Sequence, residues 1–186
     1  MTMPRLIIGI TGASGTVYGI RLLEVLKSLP IETHLVMTKA AQLARCYETD
    51  MSLDALKKLA DVYHKPHDIA APIASGSFKT LGMIVAQCSM NTLAEIAHGL
   101  SHQLLTRAAD VILKERRRLV LMPREAPLHL GHLRNMTAVT EMGGIIYPPV
   151  PAFYQKPVDI AAIVDEAVGR VLDLVGIATP LLKPWK

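Results

Sequence analysis

The stretch that most constrains this chain is Leu6-Ile7-Ile8-Gly9-Ile10, running directly into Thr11-Gly12-Ala13-Ser14-Gly15 and then into helical apolar spacing from Thr16. An apolar β-branched run, a Gly/Ser turn and an amphipathic pattern read as strand, tight loop and helix. Glycine at 12 and 15 lets the backbone turn sharply and come close to a ligand. The first helical turn behind it offers unpaired N–H groups and the positive end of a dipole, which together suit an anion, most often a phosphate. The spacing is not the dinucleotide fingerprint, because position 10 is Ile, and no Gly-Lys-Ser/Thr follows to make a Walker loop. The competing reading is a structural strand-to-helix turn with no ligand.

Further along, apolar spacing predicts a helix over 20–29 closed by Pro30, a strand over 31–37, a short helix over 39–46, an acidic turn at Glu48-Thr49-Asp50 and a helix over 52–60 capped by Ser52. A domain selecting NAD would place Asp or Glu at the end of the second strand to bind ribose hydroxyls; this chain has Thr38-Lys39, which suits a phosphate better. Residues 63–79 carry no pattern and are expected to form a mobile loop over the site. A strand over 80–86 follows, then a helix over 92–98 capped by Ser89 or Asn91, a helix over 103–114, a strand over 119–122, a helix over 132–142, a strand over 145–147 and a closing helix over 159–175. Alternating strands and helices with no internal repeat predict a three-layer α/β domain, Rossmann- or flavodoxin-like, with a mainly parallel sheet covered on both faces. One domain is expected over 1–186, ending in a C-terminal tail. Ligands of such folds bind outside the carboxyl ends of the strands, and the polar groups at Thr11 to Ser14, Thr38, Ser89 and Arg124-Glu125 all fall at such ends.

Composition narrows the function. Hydrophobic residues make up 51% of the 186, yet no apolar run approaches the roughly 18–20 residues of a membrane span, and the start lacks the features of a signal peptide. Two cysteines make neither a disulfide framework nor a zinc site, so a cytoplasmic protein is expected. The net charge is +4, but aromatics are 4% and there is no Lys/Arg tail, which argues against nucleic acid. The dense basic run at 114–118 sits where a helix ends and complements its dipole. Many Ala, Leu and Met with few aromatics hint at surface buried between copies of the chain.

Four segments, Thr11-Gly12-Ala13-Ser14-Gly15, Cys88-Ser89-Met90-Asn91-Thr92-Leu93, Arg107-Ala108-Ala109-Asp110-Val111 with Lys114-Glu115-Arg116, and Pro123-Arg124-Glu125-Ala126-Pro127, resemble the ordered motifs of the UbiX-type flavin prenyltransferases. The resemblance runs from about residue 5 to Trp185. It implies an FMN-binding subunit of a homo-oligomer, usually a dodecamer, with the flavin near subunit interfaces. The implied reaction attaches a dimethylallyl group from dimethylallyl phosphate to N5 and then C6 of reduced FMN, and the prenylated FMN serves a separate UbiD-type decarboxylase. Carried over by position, Gly12, Ala13, Ser14, Thr38, Ser89, Met90, Asn91, Thr92 and Arg124 would bind flavin. Lys114, Arg124, Tyr154 and Arg170 would hold the prenyl phosphate, and Glu48, Lys114, Glu125 and Trp185 would act in catalysis. Thr38 stands where Ser is frequent in the family, and Gln87 where Pro often stands.

The chemistry fits these residue types independently of the family. An allylic phosphate leaves by C–O cleavage, so the departing anion needs fixed cations and donors such as Lys114, Arg124, Arg170 and the Tyr154 hydroxyl. Metal-using prenyltransferases hold a diphosphate through paired aspartates and Mg²⁺, and this chain has no Asp-Asp pair. Aromatic faces, Tyr154 or Trp185, would stabilise allylic cation character, and Glu48 and Glu125 are candidates for moving protons or orienting the cations. Competing readings are an FMN-dependent decarboxylase acting directly on an aromatic or cysteinyl acid, and a flavin carrier without catalysis.

Overall fold

The computed structural model describes residues 3–182. Six strands form one sheet: β1 (Arg5–Ile10), β2 (Glu32–Met37), β3 (Val62–His64), β4 (Gly82–Cys88), β5 (Arg118–Pro123) and β6 (Ile145–Ile146). Their order is β3-β2-β1-β4-β5-β6, and every neighbouring pair is parallel. The chain leaves the β3 edge and crosses back past β1 to start β4, so the strand order reverses between β1 and β4. A crevice opens there at the carboxyl ends, the place where doubly wound sheets bind ligands.

The layers follow from the alternation of β1. Leu6, Ile8 and Ile10 point into one core with Leu22, Leu23 and Leu26 of α1 (Thr16–Leu26) and Val168 and Leu172 of α7 (Ile160–Leu174). Ala41 of α2 (Lys39–Glu48) and Leu56 of α3 (Leu53–Lys57) close the same face. Ile7 faces the opposite core with Leu93 of α4 (Met90–Ala97), Leu105 and Ile112 of α5 (Leu104–Lys114), and Val139 of α6 (Leu130–Glu141). Each such aliphatic side chain removed from water contributes about 1.5–3 kcal/mol, which fixes the register: a one-residue slip would exchange the two faces.

Four expectations change. The unpatterned segment begins with a strand, because three residues suffice when β2 supplies the ladder and Nε2 of buried His64 meets Nδ1 of His34 at 2.9 Å. From Ala71 on the segment is a strap along one sheet face rather than a loop over the strand tips, while His67 before it lies at the strand-tip cleft. Ala71 and Ile73 are buried in the second core, and the Arg117 guanidinium donates to the carbonyls of Phe78 (2.7 Å) and Gly76 (2.6 Å). Glu48, expected in a turn, is the last residue of α2, and β4 runs on through Gln87 and Cys88 by a register shift between Ala86 and Cys88.

Candidate functional site

The β1–α1 loop is stitched to the end of β4. Thr11 Oγ1 donates to the Gln87 carbonyl at 2.8 Å and accepts from the Ser89 N–H at 2.7 Å, and the buried Gln87 amide donates to the Ala13 carbonyl. Gly15 sits at φ +113°, in the left-handed region that favours glycine. A Cβ on Gly12 would lie 2.4 Å from the Cβ of Ala40, so α2 packs directly on this turn.

The anion expected at this loop belongs to the chain itself. The Glu48 carboxylate accepts from the Gly15 N–H at 3.0 and 3.1 Å and from the Thr16 N–H at 2.7 Å, sealing the N-terminus of α1, which has no cap from its own neighbour. Partial burial raises its pKa. The Ser14 hydroxyl and the Thr16 and Gly15 N–H groups outweigh that, leaving the carboxyl below its ordinary range.

The β4–α4 junction is built differently. Ser89 caps α4 by accepting from the Thr92 N–H at 3.3 Å, and its hydroxyl donates to Thr92 Oγ1 at 3.1 Å. Across the crevice, Thr38 caps α2 through the Ala41 N–H at 3.1 Å. Between these two caps lies a cleft of about 450 Å³ whose wall includes Gly12, Thr38, Ser89, Asn91 and Thr92. That volume falls within the range of small-molecule sites, about 300–1,000 Å³, and hydroxyls, an amide and a close-packed glycine turn suit the sugar, phosphate and ring edges of FMN. Lys39, His67, Glu95, Gln103 and Thr106 add further polar groups to the wall, with Ala40 and Leu105 between them. Of these only Lys39 carried a signal, in the Thr38-Lys39 pair; the others come from segments that the fold alone brings together.

The remaining expected residues fall in three places. Ala13 is buried, Ser14 exposed and Met90 half-buried at the same strand ends, outside the cleft wall. Arg124 and Glu125 are exposed directly after β5, where the Arg124 N–H meets the Cys88 carbonyl at 3.4 Å. Tyr154, in a 3₁₀ turn at Phe153–Gln155, and Arg170 of α7 share the surroundings of Tyr147, which follows β6. Burial, then the Glu166 carboxylate, pushes the Tyr147 hydroxyl up to about 12; Arg170 opposes them, and Tyr18 and Tyr154 add smaller upward pushes. The Arg170 guanidinium is bonded to Asp173, one turn further along its helix.

Lys114 stands apart. It ends α5 beside the start of β4 and β5, at the edge of the sheet opposite the cleft, with its ammonium 2.6 Å from Glu115 and close to Gly76. One chain alone does not bring Lys114 to Arg124, Tyr154 and Arg170. Trp185 lies outside the described residues. Among the described residues no group of His, Cys, Asp and Glu could hold a metal ion, and no helix is long and apolar enough to cross a membrane.

Known proteins match this architecture closely. The flavoprotein family model matches residues 1–178. The flavin prenyltransferase UbiX of Neisseria meningitidis is 57% identical over 182 residues, covering 98% of this chain and 96% of that protein. A crystal structure of AnUbiX (PadA1) in complex with FMN and dimethylallyl pyrophosphate superposes with a TM-score of 0.97 at 49% identity, over 100% of this chain and 98% of that one. A dodecameric FMN-dependent UbiX-like decarboxylase from Escherichia coli O157:H7 gives a TM-score of 0.95 at 50% identity, over 98% and 99%. Identity at this level, sustained along both chains from end to end, places the protein in the flavoprotein family, among the UbiX-type flavin prenyltransferases.

Proposed function

We propose that this protein transfers a dimethylallyl group from dimethylallyl phosphate to reduced FMN, making prenylated FMN for a UbiD-type decarboxylase. The observation that carries the reading is the division of labour at the strand tips. A hydroxyl-lined cleft lies at the β1/β4 crevice, while a separate cluster of a cation and phenols surrounds Tyr147. A flavoprotein that only stored FMN would have no use for the second.

Reduced FMN, when bound, supplies the nucleophilic N5 and C6. Gly12, Thr38, Ser89, Asn91 and Thr92 would orient it in the cleft, with Ala13, Ser14, Met90 and Arg124 at its margins. Arg124, Arg170 and the Tyr154 hydroxyl would hold the phosphate, which leaves with the electron pair of the broken C–O bond and needs fixed positive charge to do so. Lys114 would join them from a neighbouring copy in a dodecamer, since its own chain keeps it at the far sheet edge. The Glu48 carboxylate, held ionised by three hydrogen bonds beside Ser14, would accept or relay a proton, with Glu125 as the second carboxylate and Trp185 as an aromatic wall. Each such unit is taken as a single domain working in the cytoplasm, in keeping with its free thiols, exposed Cys46 and buried Cys88.

The test is anaerobic incubation of the assembled protein with reduced FMN and dimethylallyl phosphate, followed by mass spectrometry of the extracted flavin. A flavin heavier by one isoprene unit supports the reading. Unmodified FMN contradicts it, and carbon dioxide released from an added aromatic or cysteinyl acid without a partner enzyme would favour direct decarboxylation.

A further inference from the structure

The α4 wall of the cleft carries a pair of which the proposed reaction gives a role to Asn91 alone. Asn91 stands in the first turn of α4, and Glu95, one turn on, lines the same cleft. The Asn91 amide nitrogen donates to Glu95 Oε1 at 2.8 Å. A carboxylate only accepts, so the edge of the amide turned toward Glu95 is its NH₂ group. The pairing fixes which way the amide lies, leaving the carbonyl oxygen Oδ1 on the side turned away from Glu95, together with the second N–H. An unrestrained asparagine could rotate and present either a donor or an acceptor, but here rotation would set two acceptors against each other. Beside it the Ser89 hydroxyl donates to Thr92 Oγ1 at 3.1 Å, so Asn91 is the amide that this wall offers to a ligand.

We propose that Glu95 is a positioning residue for flavin recognition: by gripping the Asn91 amide it fixes the orientation of that side chain and presents Oδ1 as the acceptor for a hydrogen-bond donor of the flavin. Two flavin groups have that chemistry, the ring N3–H and the ribityl hydroxyls. The inference rests on the cleft being the FMN site.

The test measures FMN dissociation constants, by quenching of flavin fluorescence on the full-length assembled protein, for a double-mutant cycle of Asn91→Ala and Glu95→Ala. Each single change is expected to weaken binding about 5-fold, the net effect of one hydrogen bond, and the double variant to bind no worse than Asn91→Ala alone. Glu95→Gln, whose amide oxygen still accepts, should stay within about 2-fold of the unsubstituted protein. The exchanged pair Asn91→Asp with Glu95→Gln keeps one donor facing one acceptor and should do likewise; it carries the test even where Glu95→Ala fails to fold. With FMN methylated at N3, the difference between the unsubstituted protein and Glu95→Ala should vanish where N3–H is the donor. With a 2′-deoxyribityl analogue it should vanish where the hydroxyl is. Unaltered FMN binding by Glu95→Ala, losses that multiply in the double variant, or an exchanged pair that binds as poorly as Asn91→Ala would overturn this inference alone. Failure of the unsubstituted protein to bind FMN would instead overturn the function proposed above and this inference with it.

Discussion

Two strand-to-helix junctions meet at the crevice, and they solve the same problem in opposite ways. After β1, the glycine-rich loop has no side-chain cap from its own neighbour and is sealed by a carboxylate 33 residues away from Gly15 in sequence. After β4, the helix is capped by the adjacent Ser89, and a cleft opens in front of it. The loop that looks most like a phosphate cradle in the sequence is therefore already neutralised by Glu48, and the room for a ligand lies beside it. A helix N-terminus attracts an anion, but the anion can be supplied by the fold.

The comparison can be broken most severely at Glu48. Replacing it by Gln keeps an acceptor for the Gly15 and Thr16 N–H groups and removes only the charge and the proton site. Prenyl transfer, read by mass spectrometry of the flavin, should fall about 100-fold or more, while the protein stays folded with only a small drop in thermal midpoint at neutral pH. Unchanged turnover would reduce Glu48 to a plug. The next largest effect concerns Lys114. Homo-oligomers of Lys114→Ala and of Arg170→Ala should each be nearly inactive. Refolded together in equal amounts, they should recover about a quarter of the sites, because a site built from two copies draws each residue independently. No recovery would mean that Lys114 acts elsewhere.

Smaller effects sharpen the contrast. Gly12→Ala forces a methyl against Ala40 and should lower stability by about 1–3 kcal/mol in denaturant melts, weakening FMN binding as α2 shifts. Ser89→Ala should lower stability by about 1 kcal/mol, the usual effect of losing an N-cap. The smallest difference is in pH dependence. The folded Glu48 pKa is depressed, so its stabilisation is present above the unfolded value of about 4.3 and is lost as pH falls through the folded value. Glu48→Gln should flatten the acid limb of the stability curve below about pH 4, whereas Ser89→Ala, removing an uncharged cap, should leave that limb unchanged.

The fold was legible where pattern and burial agree. The apolar run of β1, the helical spacing after it and the alternation of strands with helices announce a three-layer parallel domain, and Ser52 and Ser89, expected as caps, cap helices in the structure, as do Thr38 and Asp159. What escaped the sequence depends on contacts remote along the chain. β3 exists because β2 offers a ladder and His64 finds His34. Residues 71–78 lack periodicity because they are held by short local turns, by burial of Ala71 and Ile73 in the second core and by Arg117, not by a regular element. At the site, the hydroxyl and amide positions of the cleft could be read from strand ends, but the seal of Glu48 on Gly15 and Thr16, the Asn91–Glu95 pair on the cleft wall and the far placement of Lys114 could not. Each is set by how α2, α4 and α5 lie against the sheet.

The most direct measurement is a crystal structure of the assembled protein with FMN. The account predicts flavin between Gly12, Thr38 and Ser89 to Thr92, with the Glu48 carboxylate still on the Gly15 and Thr16 N–H groups. An FMN phosphate seated on those two N–H groups, with Glu48 displaced, would contradict it.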